Sequence, residues 1–342
     1  MKTMKVTMKD IAKRLNISIN AVSIALNDKV GVSEEMRLEI LRTADEMGYI
    51  NQKRQYLSVF SKSNLCILMQ SYYADTGHFY SIVLHSIVEQ AKTFGYFTIL
   101  NYFEDDHFVI PECIVNRKVA GILIVGKISD VHLMTLKKNG IPIVLVDYTS
   151  LCTPCDCVLT HNKQGGYMMT SHIIEKGYQK IGFFGDLDYS FSFHDRFMGY
   201  RQSLIKNRIV NQEDIDDYIH RYSYVKGIEK HILSNNIIEI MKILSTKELP
   251  EVLVCANDSN AFAVMSALTQ MGMKVPDDVS VVGFDDTPLC EKAIPKITTI
   301  QVQKKLMGEV AVSKLVDRIH RKETVTMTQL LSVKIVERDS LK

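Results

Sequence analysis

Polar side chains gather at the carboxyl ends of a series of apolar runs: Gln70 and Ser71, Asn101, Asp147, Asp186, Asn257 and Asp258, and Asp285 and Asp286. Paired carboxylates can move protons, yet pairs such as Asp285 with Asp286 also occur at strand ends without catalysing anything. No GxGxxG follows the first apolar run, and no P-loop, HExxH or GxSxG occurs in the chain, so dinucleotide and hydrolase chemistry lack their local signatures. A non-enzymatic protein is expected. The aromatic residues Tyr72, Tyr73, Phe79, Tyr80, Phe191, Phe193 and Tyr222 are available to stack on a flat or ring-shaped ligand. Carboxylates and aromatics together describe a cleft for a small polyol or heterocycle. No cofactor is called for.

Seven cysteines, an odd number spread through the chain, do not form a secreted disulfide framework. Cys152, Cys155 and Cys157 have a CxxCxC spacing that could hold a soft metal or a redox couple. Structural zinc sites close with four ligands, and only His161 stands near enough to be a fourth, so a variable loop is the expected reading and no metal is assigned.

A second constellation lies at the amino terminus. In TMKDIAKRLNISINAVSIALN, Thr7 to Asn27, the apolar residues Met8, Ile11, Ala12 and Leu15, then Ile17, Val22, Ala25 and Leu26, recur at three- and four-residue spacings. Two short amphipathic helices broken at Asn16–Ser18 follow, a helix-turn-helix. Thr7 with Asp10 can cap the first helix and Ser18 the second, whose exposed face then carries Ile19, Asn20, Ser23 and Ile24. A second helix of this kind lies in the DNA major groove. Residues 1–62 hold eleven Lys/Arg against seven Asp/Glu, so the basic excess of the chain sits with this element.

These residues need elements to position them. Ser33 starts a third helix with Met36, Ile40, Leu41, Ala44 and Met47 as its buried stripe and Gly48 as its stop, completing a DNA-binding headpiece over 1–50. Residues 51–63 read as a polar linker. From Leu65 the runs Cys66–Gln70, Thr98–Tyr102, Gly121–Val125, Ile143–Asp147, Ile181–Gly185, Val252–Asn257 and Val279–Asp285 alternate with helical patterns such as Tyr80–Phe94, Gln164–Lys176, Asp195–Lys206 and Asn260–Met271. This predicts doubly wound parallel α/β sheets in two lobes, a multidomain α and α/β protein. No run has the apolar core of a signal peptide and none approaches about 18 uninterrupted apolar residues, so a cytoplasmic protein without membrane contact is expected.

The chain as a whole resembles the lactose repressor/galactose repressor (LacI/GalR) family of bacterial transcription regulators. TMKDIAKRLNIS…AVSIALN and VSEEMRLEILRTADEMGYIN are similar to that family's headpiece. GIPIVLVD, HNKQGGYMMTSHIIEKGYQKIGFFG, RFMGYRQSL, LVCANDSNAFAVMSAL, VPDDVSVVGFDD and ITTIQVQ resemble signatures of its periplasmic-binding-protein-like sensor, in the same order and at the same intervals.

The resemblance implies an effector-binding and dimerisation domain over 64–342, with one lobe of about 64–160 and 291–325 and another of about 161–290 and 326–342, the chain crossing between them three times. It implies a homodimer on a pseudo-palindromic double-stranded operator, and it leaves open a protein co-regulator on the first lobe. Arg196, three before Gly199 in RFMGY, matches the arginine that hydrogen-bonds the effector; Asp285 in GFDD matches an acceptor, Asn257 a polar contact and Tyr222 a stacking residue. Tyr72, Tyr73, Phe79 and Asp147 complete the effector set. On the DNA side Ile19 and Asn20 align with base-reading positions, and Thr7, Ser18, Ser23 and Asn27 with phosphate contacts.

Two departures stand out. Many relatives carry an arginine where this chain has Ile24, which removes a guanine contact. Relatives also follow the headpiece tyrosine with a proline and a hinge helix whose leucine wedges into the minor groove, whereas here YINQKRQYLSVFSKSN has none, Leu57 being the nearest wedge and Lys53 a backbone contact. The expected protein is a transcriptional repressor controlled by a sugar or sugar phosphate. The alternatives are a small-molecule-binding module with a vestigial headpiece, and a regulator responsive to thiol chemistry or metal.

Overall fold

The computed structural model describes residues 6–26, 31–49, 64–75, 78–320 and 325–342. The expected contacts Asn27, Lys53 and Leu57, and the linker 51–63, lie outside these residues. The headpiece is α1 (Met8–Leu15), α2 (Ile19–Leu26) and α3 (Glu34–Glu46). The Asp10 carboxylate accepts both the Thr7 N–H at 2.8 Å and the Thr7 hydroxyl at 2.6 Å, which ties down the first turn and holds the Asp10 pKa below its ordinary value. Asn16 ends α1 in the left-handed region at φ 51°, and the Ser18 hydroxyl accepts the Ala21 N–H at 3.1 Å to start α2. Ile11, Ala12, Val22, Ala25, Ile40 and Ala44 meet as a small buried core.

The rest of the chain begins with β1 (Asn64–Gln70), α4 (Ser71–Asp75), α5 (His78–Thr93), β2 (Phe97–Phe103), α6 (Glu112–Val115), β3 (Gly121–Val125), α7 (Asp130–Lys137), β4 (Ile143–Val146) and β5 (Asp156–Thr160). It continues through α8 (Asn162–Glu175), β6 (Ile181–Phe184), α9 (Phe191–Lys206), α10 (Ile215–Tyr222), α11 (Glu229–Leu233) and α12 (Ile237–Leu244). Next come β7 (Val252–Cys255), α13 (Asp258–Gln270), β8 (Ser280–Asp285), α14 (Leu289–Lys292) and β9 (Thr298–Gln301). The chain ends with α15 (Lys304–His320), β10 (Thr328–Leu331) and β11 (Lys334–Val336).

Two sheets result, ordered β10-β5-β4-β3-β1-β2 and β11-β9-β8-β7-β6, parallel throughout except for the antiparallel β11. The central strands β3, β4 and β7 are buried at every position, which is why their sequences are continuously apolar. The chain passes from the first sheet to the second after β5, back after β9, and over again after β10.

This topology corrects the expected lobe boundaries. Thr298–Gln301 pairs with β8 and belongs to the second lobe, while Thr328–Leu331 pairs with β5 and belongs to the first. The second of these strands is mostly exposed, so its apolar pattern is too weak to announce it. Beneath it the buried Asp156 carboxylate accepts the Arg318 Nε–H at 2.7 Å and faces Lys314 at 3.6 Å, pinning α15 to β5.

Helices α8 and α9 cross at very short range. A Cβ added at Gly166 would sit 2.0 Å from the Arg196 carbonyl oxygen, and one at Gly199 would sit 2.1 Å from that of Lys163. Both contacts are backbone, so neither helix can yield locally. Gly199→Ala is therefore expected to lower the unfolding free energy by roughly 2–3 kcal/mol, read as a fall in urea midpoint at constant slope. A midpoint within error of the parent would show that the crossing relaxes freely.

Candidate functional site

The carboxyl ends of β1, β4, β6, β7 and β8 converge on one cavity of about 750 Å³ between the lobes. From the first lobe Tyr73, Phe79, Tyr80, Asp147 and Tyr148 line it; from the second come Tyr189, Phe193, Arg196, Glu229, Asn257 and Asp285.

Arg196 is the best-fixed group in it. Only 5% exposed, it donates from Nε to Asn162 Oδ1 at 2.9 Å, from Nη1 to the Ala256 carbonyl at 2.6 Å and from Nη2 to Asp285 Oδ1 at 2.9 Å. Its guanidinium carbon lies 3.7 Å from the centre of the Phe284 ring. That ring can lie there because Gly165 has no side chain: a Cβ on it would fall 2.6 Å from Phe284. The paired glycines of HNKQGGYMM thus serve α9 and its arginine.

Asp147 and Asp285 both occupy positive φ, 59° and 112°, conformations that cost a non-glycine residue energy and cluster at functional sites. Burial pushes the Asp147 carboxyl up to about 6, opposed by the Arg196 charge and by the Tyr80 hydroxyl, which donates to it at 3.0 Å. Asp285 is also raised by burial, with Arg196 and Lys304 pulling the other way. Asp258, which accepts the Thr287 N–H at 2.7 Å and the Thr299 hydroxyl at 2.6 Å, is a buried brace behind the site.

Five of the expected aromatics, Tyr73, Phe79, Tyr80, Phe191 and Phe193, do reach the cavity. Tyr72 does not line it; its hydroxyl lies 2.9 Å from that of Tyr189, joining the lobes at the rim. Tyr222 is a correction. It is buried at the end of α10, packed on Tyr218 with ring centres 5.0 Å apart, and its carbonyl abuts Gly182. Helix α10 flanks β6 along its length rather than beyond its carboxyl end, so its last residue stays clear of the cleft.

Sequence reasoning missed Tyr148, Tyr189 and Glu229. The two tyrosines follow strand ends and could have been found by that rule; Glu229, in a five-residue helix, has no such signal. It is 5% exposed, and its Oε1 accepts the Asn260 Nδ2–H at 2.7 Å. Burial pushes its carboxyl up to about 7, Asn260 opposing and Asp186 adding to the shift.

The cysteines do not converge. Cys155 and Cys157 are buried in the apolar core of the first lobe, while Cys152 is exposed. Burial raises both inner thiols, Cys155 to about 11. His161 instead caps α8, accepting the Gln164 N–H at 3.4 Å. Among the described residues no group of three or more His, Cys, Asp or Glu is placed to hold a metal.

On the headpiece, Ile19 (48% exposed) and Asn20 stand out to solvent at the start of α2, with Thr7 and Ser18 beside them at the helix starts. Ser23 and Ile24, expected on the exposed face, are half-buried; the Ile24 side chain packs 3.2 Å from where a Cβ of Gly31 would lie. The exposed reading surface is therefore narrower than the helical period suggested.

A helix-turn-helix module joined to a two-lobed core with a ligand-sized cavity defines a DNA-binding regulator with a small-molecule-binding domain. Residues 7–52 match the model for bacterial regulatory proteins of the lacI family, and residues 170–341, half of the chain, match the periplasmic binding protein-like domain. The chain belongs to the LacI family of transcriptional repressors. It is similar to the HTH-type transcriptional repressor PurR of Photobacterium profundum, 26% identical over 98% of each chain. Among solved structures it resembles a LacI family regulator from Enterococcus faecium with bound ribose (TM-score 0.68, 24% identity, 81% of this chain and 98% of that one). It also resembles the lac repressor dimer bound to operator and an anti-inducer (TM-score 0.68, 23% identity, 99% of each chain). Among the described residues no helix is long and apolar enough to cross a membrane.

A carboxyl whose folded pKa is raised supports the fold fully only while protonated, below its unfolded value, and that support is lost as pH rises through the folded value. For Glu229 the window runs from about 4.5 to about 7. Glu229→Gln, which keeps the bond from Asn260, should therefore stabilise the protein by about 3 kcal/mol at pH 8 and hardly at all at pH 4.5. Thermal melts across that range check the slope as well as the sign.

Proposed function

We propose that this repressor binds a pseudo-palindromic operator as a homodimer and changes its hold on DNA when a carbohydrate-sized effector enters the inter-lobe cavity. The observation that carries this reading is the cavity itself. Its polar groups come from both lobes, Asp147 from one and Arg196, Asn257 and Asp285 from the other, so a ligand touching all of them favours one lobe arrangement over another. Aromatic walls suit the apolar faces of a sugar ring, and the carboxylates and guanidinium suit its hydroxyls. A sugar fits better than a sugar phosphate, because the inner cavity holds three carboxylates against one guanidinium that is already paired with Asp285. The bound ribose of the Enterococcus faecium regulator supports the same ligand class.

Dimerisation is supported by the edge strand β2, which leaves Phe97 (72% exposed), Leu100 and Tyr102 uncovered. An apolar edge of this kind invites a partner, and a two-fold pair of headpieces matches a two-fold operator. The lac repressor, a dimer on its operator, offers the parallel.

Within the headpiece, Ile19 and Asn20 are assigned to base reading and Thr7 and Ser18 to phosphates. Asn20→Ala is expected to cost about 1–3 kcal/mol on DNA selected by the protein from a random library and almost nothing on unselected DNA. Fluorescence anisotropy measures both, and equal losses would remove Asn20 from base reading. In the core, Arg196→Lys keeps a charge beside Asp285 but loses the planar fork. Selected DNA should still bind with parental affinity while the effector response disappears; an unchanged response would move the effector elsewhere.

A further inference from the structure

Resting on the reading of the inter-lobe cavity as the effector site, we propose that its ligand carries a protonated amine, seated between Glu229 and Asp147 against the tyrosine and phenylalanine walls. The charge inventory of the inner cavity is the starting point. Asp147, Glu229 and Asp285 line it, and Arg196 is the buried cation among the lining residues. Arg196 spends its Nη2 on Asp285 and its other two nitrogens on Asn162 and the Ala256 carbonyl. Lys127, His194 and Lys292 also line the opening, but all three are exposed at the rim, where solvent and salt screen them.

Two carboxylates are left without a cation of their own. Glu229 faces Asn260 from α13, Asp186 from the segment after β6, Tyr72 from α4 and the Tyr189 ring, none of them basic. Among the described residues, Asn260 is the single hydrogen-bond donor to its carboxylate, on Oε1, which leaves Oε2 for the cavity. Asp147 faces Arg196 from α9, Asp285 from β8, Tyr80 from α5 and Tyr73 from α4, so the guanidinium near it is shared with a second acid. Burying an anion without a counter-ion is costly, and a ligand that brings the missing cation recovers that cost on binding.

The walls point the same way. Tyr73 and Tyr80 lie 4.9 Å apart between ring centres, and Tyr189 and Phe193 lie 5.2 Å apart, one pair on each side of the cleft. Electron-rich faces beside carboxylates are a setting in which an ammonium is held by cation–π attraction and charged hydrogen bonds together. A neutral sugar finds hydrogen-bond partners here but brings no charge to answer the buried acids. A phosphate or carboxylate finds repulsion.

Matched amine and hydroxyl probes separate these cases on the full chain: glucosamine with glucose, galactosamine with galactose, and benzylamine with benzyl alcohol, with glucose 6-phosphate as the anionic arm. By thermal shift and titration calorimetry at pH 7, where the amino sugars are mostly protonated, the amine member should bind at least about tenfold more tightly than its partner, in line with a charge-assisted bond. That preference should shrink towards pH 5.5, where Glu229 and Asp147 take up protons, although the amines themselves stay charged. Glu229→Gln and Asp147→Asn, both near-isosteric, should each erode the preference by weakening the amine members more than their neutral partners. Equal binding within every pair, binding led by glucose 6-phosphate, no stabilisation by any amine, or an amine preference that survives both substitutions would each overturn the proposal. If a neutral or anionic probe binds and Arg196→Lys abolishes that binding, the cavity remains the effector site and the amine assignment alone falls.

Discussion

The buried Arg196–Asp285 pair is the constraint around which the sensor core is arranged. A guanidinium out of water needs every direction of its charge answered, and here the answers come from four groups on three elements. Asn162 opens α8, the Ala256 carbonyl follows β7, Asp285 ends β8, and the Phe284 ring takes the flat face. Each partner fixes the position of its own element relative to α9. The glycines at 165, 166 and 199 are the steric side of the same requirement, because larger residues would lift α9 away and break three hydrogen bonds at once. The pair therefore sets the shape of the second lobe's half of the cavity before any ligand arrives.

Set against this neutralised pair, the remaining acids of the cleft define its character. Asp147 and Glu229 are displaced upward for the same reason, removal from water, and they come from opposite lobes. A cavity of this kind discriminates by charge as well as by shape. It also couples the core to proton concentration, since the groups that greet the ligand change charge near neutrality.

Much of this is legible in the sequence where a local pattern carries the physics. The capped helix pair of the headpiece, the buried parallel strands and the strand-end carboxylates Asp147 and Asp285 all follow from periodicity and from where open sheets bind ligands. What stays hidden depends on tertiary partners. Strands β9 and β10 are four residues each, and only their pairing reveals which sheet they join. Tyr222 has a stacking residue's distance from a glycine in sequence, but the course of α10 along β6 takes it away from the cleft. Ile24 has the right helical phase to face DNA, yet it turns partly inward to cover Gly31. Glu229 resembles any acidic residue in a short helix until the fold buries it.

The hydroxyl contact between Tyr72 and Tyr189 has a bearing on the switch as a whole. At 2.9 Å it links the two lobes across the mouth of the cavity without any help from ligand. One such bond contributes about 0.5–1.5 kcal/mol, enough to shift an open–closed equilibrium by up to roughly tenfold. Under the proposed effector mechanism, that contact is a bias towards closure written in two tyrosines. The dynamic range of the response is what remains after that bias is subtracted, so the rim of the cleft sets the leakiness of the switch while its floor sets what the switch detects.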